Sequence, residues 1–84
     1  MHHFRGTLRD GDRIRLDPAN VYIEYRDEGW DGYLLVPSEG DVAPGKAYTL
    51  TLVDGRSGTL RVERLTPEDS GMFRANFAGD GPLR

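Results

Sequence analysis

The chain contains no cysteine. A disulfide framework, a thiolate metal centre and a thiol nucleophile are therefore excluded. Histidine is scarce too: His2 and His3 are the only two. They stand at a chain end expected to fray, so general acid–base chemistry, which most often runs through histidine, has no evident carrier. No apolar run approaches the roughly 18 residues of a membrane-spanning helix. Met1-His2-His3-Phe4-Arg5 has no apolar core of a signal peptide, so a cytoplasmic protein is expected.

Ligand-binding signatures are missing as well. The glycines form no Gly-x-Gly-x-x-Gly or Walker pattern opening a long helix. The acids Asp27, Glu28 and Asp31 lack the Asp-x-Asp-x-Asp-Gly spacing of a calcium loop and read as a solvated turn. Neither metal nor cofactor is expected, and a non-catalytic chain follows from the residue inventory.

What is present is an alternating β pattern. In 84 residues, 37% hydrophobic and 30% charged, 11 glycines and 5 prolines fall between short apolar runs. This is the composition of one small domain of short strands and tight turns, spanning residues 1–84 with 79–84 as a flexible tail. The clearest stretch runs from Ala47 to Leu65. Tyr48, Leu50 and Leu52 point one way and Thr49, Thr51 and Val53 the other. Leu60 and Val62 alternate with Thr59, Arg61 and Glu63. The apolar faces meet only if paired positions have an even sum. A three-residue loop, Val53-Asp54-Gly55, with Gly55 left-handed, satisfies this by placing Tyr48 opposite Leu60; a longer loop through Gly58 also has an even sum.

The same logic applied to the first hairpin predicts an Arg9-Asp10-Gly11 loop with Phe4 opposite Leu16. Arg5, Arg9, Arg13 and Arg15 then form an outward ladder. Asp17-Pro18-Ala19-Asn20 reads as a turn, followed by a strand with Val21, Ile23 and Tyr25 inward. Arg26 to Gly32 reads as an acidic loop holding Trp30, and Tyr33 to Val36, apolar on both faces, as a strand either central in the sheet or covered on both sides. Thr66-Pro67-Glu68-Asp69 has an N-cap, a first-turn proline and acids near the dipole's positive end, predicting one helical turn near residues 67–70. Phe73, Ala75 and Phe77 alternate on a last strand. About seven antiparallel strands result, in an all-β sandwich or a small SH3-like barrel.

From Thr59 to Phe73 the chain resembles the strand E to strand F corner of immunoglobulin-like domains. Asp69, Gly71 and Phe73 occupy that family's Asp-x-Gly-x-Tyr positions. The resemblance implies a β-sandwich and an adhesion or interaction role, and transfers no site residue. Phe73 lacks the hydroxyl of the tyrosine corner, and Ala75 stands where the second cysteine would be.

Charge narrows the function classes. The net charge is -3, and ten of the eleven cations are arginine. Residues 1–16 carry four arginines and two acids, whereas residues 17–46 carry two cations and seven acids. The expected function is a non-catalytic protein-interaction or scaffolding module with an unidentified protein partner. Its contacts would come from Trp30, Tyr22 and Tyr33 with the acids Asp27, Glu28 and Asp31. The alternative is a small barrel binding single-stranded nucleic acid through Arg5, Arg9, Arg13 and Arg15, with Tyr22 as a stacking ring; the net acidity opposes it. An open strand edge would also permit a homodimer.

Overall fold

The computed structural model describes all residues from Met1 to Arg84. Six antiparallel strands form one closed barrel: β1 (His2–Asp10), β2 (Arg13–Arg26), β3 (Gly29–Val36), β4 (Ala47–Leu52), β5 (Ser57–Pro67) and β6 (Phe73–Asp80). The order around the barrel is β1-β2-β3-β6-β5-β4, and β1 pairs with β4 through Gly6–Leu52 to Arg9–Thr49 to close it. Of the two architectures anticipated, the chain takes the closed barrel. β5 and β6, which carry the immunoglobulin-like resemblance, pair with each other in this one continuous sheet.

Alternation decides which side chains fill the barrel. Leu8, Val21, Ile23, Leu34, Val36, Leu50, Leu60, Val62, Ala75 and Phe77 are buried, each two residues from another along its strand or opposite one across it. The β4–β5 hairpin follows the predicted phase. Tyr48 faces Leu60, the Leu52 amide donates to the Arg56 carbonyl at 2.7 Å, and Gly55 sits at φ +97°, where glycine carries no Cβ penalty.

Strand count, the register of the first hairpin and the helical turn after Thr66 depart from expectation. β2 is a single strand of 14 residues because Asp17-Pro18 does not turn the chain. Opposite this step, β1 advances from Gly6 to Leu8 while β2 advances from Ala19 to Leu16. The extra residue is a bulge, one of the few places within a sheet where proline's missing donor is tolerated. A second bulge, at Arg15, shifts the ladder again. Phe4 therefore faces Val21 instead of Leu16. No helical turn forms at residues 67–70. Thr66 and Pro67 end β5 in pairs with Arg74 and Phe73, and the Gly71 amide closes a tight turn on the Glu68 carbonyl at 3.1 Å. Strand pairing takes the backbone groups that an isolated turn of helix would leave without partners. The one helical segment is a 3-10 turn at Glu39–Asp41, capped by Ser38.

Both barrel mouths are covered. At one, Val42 is buried and the Ala43 amide donates to the Tyr48 hydroxyl at 2.8 Å. Arg15 holds that connection by donating to the Asp41 and Gly40 carbonyls. At the other, Trp30 is 5% exposed, and its Nε1 donates to the Gly81 carbonyl at 2.9 Å. Residues 79–84, anticipated as a tail, take part in this closure. Gly79 and Asp80 belong to β6, and Arg84 exchanges two 3.0 Å backbone hydrogen bonds with Ser57. No helix is long and apolar enough to cross a membrane.

Two exposed ion pairs brace these hairpins. Lys46 meets Asp10 at 2.6 Å and Arg56 meets Asp54 at 2.8 Å. The hydrogen bond from Lys46 holds the Asp10 carboxyl below its ordinary range. The side chain of Arg56, and then its backbone amide, do the same for Asp54. A carboxyl depressed in the folded state adds stability above its unfolded pKa of about 3.9 and loses it as pH falls through the folded value. An Asp10→Asn, Asp54→Asn double variant is therefore expected to be slightly less stable than the parent at pH 7. The gap should shrink as pH falls below the unfolded carboxyl pKa of about 3.9 and narrow in high salt. Urea unfolding at pH 7 and below that pKa measures it; an equal gap at both would reject this assignment.

Candidate functional site

Trp30, Tyr22 and Tyr33 do not form one surface. Arg26 pairs with Gly29, so Asp27 and Glu28 are a two-residue turn, and Trp30 lies within β3 instead of in a loop. Strand alternation then puts Trp30 inside and Asp31 and Tyr33 outside. The indole lies against Phe77, with ring centroids 5.6 Å apart, and over the backbone of Gly79. It is therefore a core residue, and its one donor is used internally. Tyr25, expected inward, is 45% exposed, because it sits at the rim beside His2 and accepts a hydrogen bond from Arg56. Asp27 and Glu28 are solvated at the turn, whereas Asp31 pairs with Arg26 at 2.6 Å. No group of three or more histidine and acidic side chains is arranged around a common point.

The arginines expected as a ladder are likewise divided. The ladder fails because the two bulges in β2 break its phase with β1. Arg13 faces Asp10, which puts it on the opposite side of the sheet from Arg9. Arg15 is committed to carbonyls of the 3-10 turn. Only Arg5 and Arg9 share a side of β1.

What the fold does assemble is an outward row across five strands. His3, Tyr22, Tyr33, Asn76 and Arg64 are successive register partners on β1, β2, β3, β6 and β5. The rings stand against one another. His3 stacks on Tyr22 at 4.7 Å, and Tyr22 on Tyr33 at 4.8 Å with planes 16° apart. The guanidinium of Arg74 covers the far side of Tyr33 at 3.9 Å and is anchored by Glu68 at 3.0 Å. Asn20 fixes the other end by a 3.2 Å contact with His3. Such stacking and cation–π contacts lower the entropy that these side chains lose on meeting a partner.

Beside Tyr33 the surface dips into an open groove of about 720 Å³, which includes Asp31, Glu63, Arg64, Arg74 and Asn76. His3, Arg74, Asn76 and Arg64 were not visible as site residues in the sequence. The alternation of Arg74 and Asn76 against Ala75 and Phe77 signals their outward facing. His3 has no local signal, since its partner comes from β2. Comparison with protein-family models, with curated proteins and with solved structures finds no match to this chain.

Proposed function

We propose that the barrel is a non-catalytic protein-interaction module whose contact surface is the outer row of His3, Tyr22 and Tyr33 capped by Arg74. The observation that carries this reading is the stack itself. Tyrosine and arginine are enriched among the few hot-spot residues that dominate interface energy, and here they are held rigid on strands, half-buried, with ring edges toward solvent. Trp30 has no part in the contact because it is spent on the core.

The stack also weighs against single-stranded nucleic acid. Bases bind by lying on ring faces. Tyr22 has His3 on one face and Tyr33 on the other, and Tyr33 has Tyr22 and Arg74. Neither tyrosine offers a free face, and the arginines that would track a backbone are split between two sides of the sheet.

A Tyr22→Ser, Tyr33→Ser double variant tests the proposal, because both positions face outward and the fold should survive. Loss of a hot-spot pair costs at least about 2 kcal/mol, or roughly thirtyfold in affinity. Proteins captured by the parent from a lysate of the source cells should be missing from the variant's eluate. Identical eluates from both, or salt-sensitive oligonucleotide binding by the parent, would overturn the reading.

A further inference from the structure

The closed barrel offers no full-length free edge, so a second strand has no ladder to extend. Association must then use a face. On the outer face, ion pairs account for most charges around the groove. Asp31 is held by Arg26, Arg74 by Glu68, and Glu24 by the Met1 amino group at 3.4 Å. Glu63 and Arg64 are the exceptions: both are exposed, both line the groove, and neither makes an ion pair or a side-chain hydrogen bond. They are consecutive residues at the β5 bulge, where the register jumps between Val62–Phe77 and Arg64–Asn76. A bulge opposes two residues to one and re-aims their side chains. Here it brings an unmatched acid and an unmatched base, adjacent in the chain, to one side of the sheet.

We infer that this bulge is the centre of a two-fold contact with a second copy of the chain. The inference rests on the outer-face reading above and names its partner. A ligand that satisfies both charges must present a base and an acid at the same spacing. A second copy does so by symmetry: under a two-fold axis, Glu63 of each protomer meets Arg64 of the other, the reciprocal pattern of an isologous interface. A uniformly acidic or basic partner would satisfy one charge and repel the other. Tyr33 and the exposed Met1, both lining the groove, supply apolar contact around the paired charges.

The test is charge reversal read by sedimentation equilibrium of the full chain at low ionic strength. The parent should show a reversible monomer–dimer equilibrium that weakens with added salt. Arg64→Glu leaves two acids at each bulge and Glu63→Arg two bases, so each alone should weaken self-association about tenfold or more. An equimolar mixture of the two should associate again, and the Glu63→Arg, Arg64→Glu swap should dimerise like the parent. Thermal unfolding of each variant controls for folding. A parent that stays monomeric to roughly 1 mM, the weak end of specific affinity, overturns the inference, as does an unchanged dissociation constant in either single reversal. If the parent is monomeric and the Tyr22→Ser, Tyr33→Ser variant still loses a different captured protein, the self-contact falls and the outer-face reading stands.

Discussion

Replacing Trp30 with alanine is expected to lower the melting temperature by about 12–40 °C. Truncating a buried tryptophan costs about 3–5 kcal/mol, and in a domain of this size each kcal/mol moves the midpoint by about 4–8 °C. The whole stability of 84 residues is only about 4–13 kcal/mol. The loss also has a direction within the fold. With the indole gone, the Gly81 carbonyl loses its donor and the space beside Gly58 opens, so the Arg84–Ser57 pairing should loosen first. Hydrogen exchange should show the Arg84 and Ser57 amides losing protection before the strands do.

The neighbouring glycine supplies an internal check. A Cβ at Gly79 would lie 2.3 Å from Trp30 Nε1, so Gly79→Ala should be costly in the parent and nearly free of cost in Trp30→Ala. That non-additivity is the signature of direct contact. Additive costs in a double-mutant cycle, or a Trp30→Ala midpoint within a few degrees of the parent, would mean that the indole does not seal the barrel.

Gly32→Ala is expected to be the most damaging single methyl group that can be added. Its Cβ would stand 1.8 Å from the Tyr22 carbonyl oxygen and 2.9 Å from the carbonyl carbon. Both belong to backbone in the β2–β3 ladder, so no side-chain rotation relieves the clash and the strands must part. Overpacking in a core typically costs about 1–3 kcal/mol, and a clash with paired backbone should exceed that range. The variant should be largely unfolded or insoluble. Gly40→Ala is the matched control: nothing lies within 4 Å of its Cβ, and a change within about 0.5 kcal/mol is expected. Comparable circular dichroism and unfolding midpoints for Gly32→Ala and the parent would show that β2 and β3 are less closely joined than described.

How far these properties could be read from the sequence depends on how local their causes are. Tyr48 to Val62 was legible in full, because alternation and one glycine turn settle a hairpin's phase without help from elsewhere. The first hairpin was not, because two bulges in β2 change the register, and a bulge responds to the bend needed to close a barrel. Pro18 looked like a turn for the same reason: a bulged strand and a turn both accommodate a missing donor. The helical turn expected after Thr66 carried sound capping signals, and cross-strand pairing with β6 overrode them.

The site shows the same division. Tyr22 could be named from the sequence, since it alternates with the apolar Val21 and Ile23, whereas Tyr33 opens a run that is apolar on both faces and gains its outward side from pairing with Tyr22 and Asn76. Trp30 was misplaced because its slot is made by Gly58 and Gly79, far along the chain, where the absence of side chains is the relevant feature. His3 looked like a fraying end and acquires a place only when β1 and β2 align it with Tyr22. Arg64 and Glu63 gain meaning only from the bulge.

The sealed mouth has a practical consequence. Trp30 is the only indole in the chain, and it lies where the last residues fold over the barrel. Its emission therefore works as an intrinsic optical gauge, blue-shifted while dry and moving to the red when water reaches it. Opening at that end can be followed without labels, in the same sample and separately from the ellipticity that reports the barrel as a whole.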